Sequence, residues 1–141
     1  MARVIITLLD SFGIGYAHDA EAFGDKGSDT LGHIAAWLAE NRKNAEGSPR
    51  YLALPNLAKL GLEKAHLLST GKDLAHPLSG EPLQADPLDG GRVQAAYTCA
   101  EEVSKGKDTL SGHWEIAGVP VEFDWGYFPD TPHCFPQALV D

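Results

Sequence analysis

Val4-Ile5-Ile6-Thr7-Leu8-Leu9-Asp10-Ser11-Phe12-Gly13-Ile14-Gly15 is the stretch that decides the fold class. Its first half is a continuous run of β-branched residues and leucines, the pattern of a strand buried on both faces. That is an α/β expectation: a mainly parallel sheet flanked by helices. The run stops at Asp10 and a glycine-bearing turn. In an open parallel sheet, ligands collect at the carboxyl ends of the strands, so Asp10 stands in a functional position. The glycines invite a dinucleotide-binding reading, which fails. After Gly13 and Gly15 the third glycine belongs at position 18, where the chain has His18. A nucleophile elbow around Ser11 fails too, because Leu9 stands where its first glycine is required. Two readings of Asp10 stay open: a carboxylate that caps a turn, and a ligand for a hard or borderline cation.

The bulk numbers narrow the classes. A chain of 141 residues with 43% hydrophobic residues is the size and composition of one globular domain. Eleven basic against twenty acidic residues give a formal charge of −9, which argues against nucleic acid or an anionic membrane as the main partner. A small phosphorylated substrate stays open, because there the local field matters. Two cysteines, Cys99 and Cys134, make no disulfide framework and lack zinc spacing. Cys99 lies in an apolar run and is expected to be a small buried residue. The apolar run from Val4 to Leu9 is too short for a signal peptide or a membrane span, so a cytoplasmic location is expected.

From Tyr16 to Gly27 the chain reads as a loop. A helix is expected from about Ser28-Asp29-Thr30 to Glu40, with Leu31, Ile34, Ala35 and Leu38 on its buried face. His33 points to a different face and has no partner at i+4, so it belongs to no zinc motif. Residues 41–50 read as a surface loop, and Leu54 to Leu62 as a helix of one or two turns with Gly61 near its end. Residues 71–91, rich in Gly and Pro, read as an exposed connection. Val93, Ala95, Tyr97 and Cys99 then alternate as a strand.

That strand feeds Ser104-Lys105-Gly106-Lys107-Asp108-Thr109-Leu110-Ser111-Gly112-His113-Trp114-Glu115-Ile116-Ala117-Gly118. It reads as a polar loop turning into a short helix. Leu110, Trp114 and Ala117 recur at i, i+4 and i+7 as one apolar stripe. Asp108 and Thr109 sit at the N-cap, and Gly118 with Pro120 supplies the stop. A hydroxyl at a helix entrance behind two lysines can handle phosphate, since free N–H groups and the dipole attract an anion. The plainer reading is a helix cap with solvated lysines. If both strands belong to one sheet, Asp10 and Thr109 meet above it. The aromatic stretch from Val119 to Phe128 is expected to fill a core. Pro129 to Pro132 reads as a turn, and Phe135 to Val140 as the start of a helix with Pro136 near N1.

Taken together, these motifs resemble the bacterial phosphopentomutase family. The resemblance rests on Leu9 to Gly15, on Asp29-Thr30-Leu31-Gly32-His33-Ile34 and on Leu54-Pro55-Asn56-Leu57. It is densest from Ser104 to Pro120, and resumes at Asp124-Trp125-Gly126-Tyr127-Phe128 and Phe135-Pro136. It implies an alkaline-phosphatase-like core with an inserted cap domain. Residues 1–118 would be the N-terminal part of that core, and 119–141 the lead into an incomplete cap. The implied reaction interconverts ribose or deoxyribose 1-phosphate and 5-phosphate through a phosphothreonine and a 1,5-bisphosphate.

Carried over by position, the resemblance makes Thr109 the phosphate-carrying residue and a metal contact, and Asp10 a manganese ligand. Two manganese ions, a sugar bisphosphate activator and small sugar phosphate partners are implied, with no nucleic acid and no membrane. An alcohol is a poor nucleophile at neutral pH, so a metal that favours its alkoxide makes chemical sense. Lys107 either screens phosphate charge or is an exposed loop lysine. The family's chain is far longer, and its remaining ligands lie in its C-terminal half, so the 141-residue chain alone is expected to be inactive. The alternatives are another metal-dependent phosphomutase or phosphoesterase of the superfamily, and a non-catalytic binding domain.

Overall fold

The computed structural model describes residues 3–78, 95–124, 126–129 and 131–141. Val93, most of the 71–91 connection, Trp125 and Asp130 lie outside the described residues. The chain divides into two compact units, Met1–Ala100 and Glu101–Asp141, each described by itself.

In the first unit a 3-10 turn at Ala20–Phe23 punctuates the expected loop and ends at Gly24. Helix α1 (Thr30–Asn41) follows close to the expected bounds. Asp29 is its N-cap and accepts the Gly32 N–H at 3.1 Å. Leu31 and Ala35 are buried on the predicted face, whereas Ile34 is exposed and Leu38 half-buried. After α1 the chain turns back on itself, with one antiparallel bridge between Lys43 and Pro49.

Helix α2 (Pro55–Lys59) begins with proline in the first turn, where no N–H is missed. Gly61, at φ 92°, ends α2 and opens α3 (Leu62–Thr70), a helix not visible in the sequence. Its buried residues are Glu63, Ala65 and His66, so polar side chains interrupt the apolar period that would have signalled it. Glu63 is taken up by the Leu78 N–H, and the Leu78 carbonyl accepts from Leu54 at 2.8 Å. Leu78 is therefore buried, which corrects the reading of its stretch as exposed.

Gly61 is doubly constrained. Its φ favours glycine, and an added Cβ would stand 2.7 Å from the Tyr97 ring. Gly61→Ala is expected to destabilise the first unit by about 1–3 kcal/mol, through left-handed backbone strain and the displaced ring. A urea midpoint falling with an unchanged slope would bear this out.

Five sequence expectations are corrected. Val4 to Leu9 is not a buried strand: Val4 and Ile5 are 88% and 87% exposed, and no ladder partner runs beside the segment among the described residues. A β-strand is held by its neighbours rather than by its own hydrogen bonds, so an apolar run alone does not form one. Ala95, Tyr97 and Cys99 do not alternate as a strand, and Cys99 is exposed. The stripe of Leu110, Trp114 and Ala117 is open to solvent. Phe123, Tyr127 and Phe128 are exposed too and fill no core. The buried apolar set among the described residues is small: Ala20, Leu31, Ala35, Ala65, Leu78 and Val121.

The second unit is built around α4 (Thr109–Ile116). The helix ends in a Schellman arrangement. Gly118, at φ 90°, donates to Glu115, and Val119 donates to Trp114. The segment ahead of α4 is fastened to Val121, whose N–H donates to Ser104 Oγ at 2.9 Å and whose carbonyl accepts from Lys105 at 2.8 Å. Near the C-terminus Phe128 and Phe135 meet edge to face at 5.0 Å. A 3-10 turn at Gln137–Leu139 follows Pro136, where a helix start was expected.

Candidate functional site

Thr109 is the first residue of α4, and Asp108 alone is the N-cap. The Asp108 carboxylate accepts the N–H groups of Leu110 at 2.9 Å and Ser111 at 3.0 Å. The Ser111 hydroxyl, fully buried, accepts in return from the Asp108 N–H at 3.4 Å, closing a capping box. This corrects the sequence reading of the helix entrance. Two of its free amides already serve a carboxylate, whose negative charge would repel an anion at that spot. What the entrance offers a phosphate is Thr109 itself, exposed, with no hydrogen bond on its hydroxyl among the described residues.

The loop that presents Thr109 is tightly held. Glu115 accepts the Val103 N–H at 2.9 Å and the Ser104 N–H at 2.8 Å. Its carboxyl lies below the ordinary value of 4.5, first because Ser104 hydrogen-bonds the charged form and then because Val103 does. Gly106 passes so close to α4 that a Cβ there would stand 2.7 Å from Ser111. Lys107 is not a solvated lysine. Its ammonium pairs with Glu102 at 3.2 Å, and its N–H donates to the Tyr127 hydroxyl at 2.6 Å. Lys105 reaches Asp124 at 3.2 Å in full solvent, a contact worth little.

Asp10 belongs to the first unit and is exposed. Its carboxylate accepts the Ser11 N–H at 2.9 Å, and Ser11 adopts φ 56°, so a turn-capping role is realised. The loop that follows is pinned residue by residue. The Gly13 carbonyl accepts from Leu31 at 3.0 Å, and the Ile14 carbonyl accepts from the Ser69 hydroxyl. Gly15 has φ 92°, and a Cβ on it would lie 2.7 Å from Ser69 Oγ.

Behind this loop Asp29 Oδ2 pairs with His66 Nε2 at 2.7 Å, and the His66 ring is almost completely buried. Burial pushes the Asp29 carboxyl up, but the His66 bond, the Gly32 amide and the charge of His66 together hold it below its ordinary 3.8. A depressed carboxyl contributes stability that is present above its unfolded value and lost as pH falls through the folded one. The first unit is therefore expected to lose stability as pH drops below about 4. Asp29→Asn should flatten that acid limb of the unfolding midpoint. A hollow of about 360 Å³, lined by Gly15, Tyr16, Ser28, Asp29, His33 and Lys72 among others, opens beside the pair. His33 is exposed there, as a surface histidine.

Among the described residues no group of three or more His, Cys, Asp or Glu is gathered in a way that could hold a metal ion. Asp10 has the right donor chemistry for a hard cation, an exposed carboxylate engaged only by the adjacent amide. One carboxylate by itself does not make a metal site. No helix among the described residues is long and apolar enough to cross a membrane.

The profile of the metalloenzyme superfamily matches residues 2–132. The chain belongs to that superfamily. A metal ion is thus part of the chemistry of its kind. All 141 residues are also 55% identical to a phosphopentomutase of Proteus mirabilis (strain HI4320), and they span 32% of that protein's length. No solved structure matches the chain.

Sequence reasoning singles out Asp10 and Thr109 in this superfamily chain but not the groups that hold their loops. Asp29 was visible as a helix start. Its partner His66 lies 37 residues away and carries no local signal. Glu115 sat inside the quoted motif, yet its reach back to Val103 and Ser104 follows from the fold of the loop.

Proposed function

We propose that these residues are the N-terminal part of a phosphopentomutase, which interconverts (deoxy)ribose 1-phosphate and 5-phosphate. In this reading residues 1–118 start an alkaline-phosphatase-like core, and 119–141 lead toward a cap. The 55% identity over the whole chain carries the reading. The exposed, unengaged hydroxyl of Thr109 on a fastened loop supports it.

Thr109 is the phosphoryl carrier. The P–O bond of phosphothreonine breaks as a bond forms to the free sugar hydroxyl, whose proton returns to Thr109 Oγ1. The product of that step is a 1,5-bisphosphate. The opposite phosphate then passes to Thr109, leaving the isomer. Asp10 would hold one of two manganese ions, which when bound would neutralise charge on the transferring group and favour ionised Thr109. Asp108 keeps the Thr109 turn in register, and the Lys107–Glu102 pair makes the loop's second lysine a structural tie rather than a free cation. A sugar bisphosphate primes the cycle, and small sugar phosphates are the partners.

The 141-residue chain alone is expected to show no mutase turnover with manganese and a bisphosphate primer. A chimera in which it replaces the matching segment of the Proteus mirabilis protein is expected to convert ribose 1-phosphate. Turnover by the isolated chain would overturn the first expectation. A chimera that prefers a phosphoglycerate or a simple aryl phosphate would overturn the second.

A further inference from the structure

Each ring nitrogen of His66 faces an acceptor. Nε2 lies 2.7 Å from Asp29 Oδ2, and Nδ1 lies 3.1 Å from the Lys72 carbonyl oxygen. A carbonyl has no proton to give, so Nδ1 must donate. A neutral ring would then turn the bare lone pair of Nε2 toward a carboxylate. Only the doubly protonated ring satisfies both contacts, in a position 2% exposed where an unmet contact is costly. A neutral, proton-donating Asp29 is the other way to satisfy Nε2, and the hydrogen bonds that hold this carboxyl ionised oppose it. The remaining charged groups nearby do not compete for the ring: Glu63 on α3 is engaged by the Leu78 N–H, while Lys72 and His33 line the hollow on the Asp29 side.

Asp29 passes this anchoring on to backbone. Its carboxylate accepts from Gly32 at the start of α1, next to the Leu31 N–H that donates to Gly13. With Leu31 on Gly13 and Ser69 on Ile14, two successive residues of the loop after Asp10 are held from α1 and α3, the helices that the pair joins. We infer that Asp29 and His66 are positioning residues: a charged pair that holds the start of α1 to α3, clamps the Gly13–Ile14 backbone through them and thereby fixes where Asp10 stands. The use of the clamp rests on the reading of Asp10 as a metal ligand; the clamp itself does not.

Nuclear magnetic resonance on the 141-residue chain, without metal or substrate, tests it. Both ring nitrogens of His66 should show the nitrogen-15 signature of protonation, and the Leu31 amide should exchange slowly. In Asp29→Asn and His66→Gln the Leu31 amide, whose own acceptor is Gly13, should exchange about tenfold faster or more, as expected for loss of a charged hydrogen bond. The Lys105 amide of the second unit should not change. Ser69→Ala should loosen the loop while leaving the His66 ring signals in place. A singly protonated ring in the unaltered chain would overturn the inference. So would unchanged Leu31 exchange in Asp29→Asn, or equal acceleration throughout α1, α2 and α3. Should His66→Gln not fold, the ring measurement and Asp29→Asn still decide. An intact clamp combined with an Asp10 variant of full activity would count against the metal reading alone.

Discussion

Thr109→Val in the chimera with the Proteus mirabilis phosphopentomutase is expected to lower turnover by at least about a thousandfold, the scale on which enzymes lose activity with their nucleophile. Valine keeps the β-branched shape and removes the hydroxyl. The side chain is exposed and lies at the first helical position, so the helix should persist. Its cap is Asp108, which stays in place. Unchanged helical circular dichroism together with lost turnover would therefore assign the loss to chemistry. Thr109→Ser, which keeps an oxygen at the same place, should retain a measurable fraction of the rate. Equal rates for the valine and unaltered chimeras would remove Thr109 from the reaction.

Asp10→Asn is expected to weaken manganese binding in the same chimera by at least about a hundredfold, the upper end of what loss of a mere supporting contact costs a metal site. Asparagine keeps an oxygen that can accept the Ser11 N–H, so the turn survives. It lacks the negative charge that a hard divalent cation takes from its ligand. Manganese titration followed by electron paramagnetic resonance reads the free ion directly and does not depend on turnover. Activity recovered at high manganese would separate a binding defect from a misfolded loop. An unchanged manganese affinity would leave Asp10 with its turn-capping role alone.

Local chemistry was the legible part of this chain. Thr30–Asn41, Pro55–Lys59 and Thr109–Ile116 form where helical period, an N-cap or a proline at N1 announced them. Gly61 and Gly118 act as the stops their positions indicated. Contacts over distance were not legible. Helix α3 hides because Glu63 and His66 occupy its buried face, each satisfied by a partner that sequence spacing cannot announce. Apolar pattern was over-read as burial. Val4 to Leu9, the Trp114 stripe and Phe123, Tyr127 and Phe128 carry the composition of buried faces, and all stand in solvent. Periodicity records which face a residue takes, while burial requires a second surface to cover that face. The same distinction applies to the site. Asp10 and Thr109 stand out in the sequence as residue types in their loops, whereas the pins that hold those loops, Glu115, Asp29, His66 and Ser69, emerge only with the fold.

The central claim is that Thr109 carries the phosphoryl group. Intact-mass analysis of the chimera after incubation with ribose 1,5-bisphosphate and manganese, followed by peptide mapping, tests it most directly. One added phosphoryl group on Thr109, absent from Thr109→Val, is the predicted result; a chimera that turns over substrate with its phosphoryl group on another residue, or on none, would contradict the account.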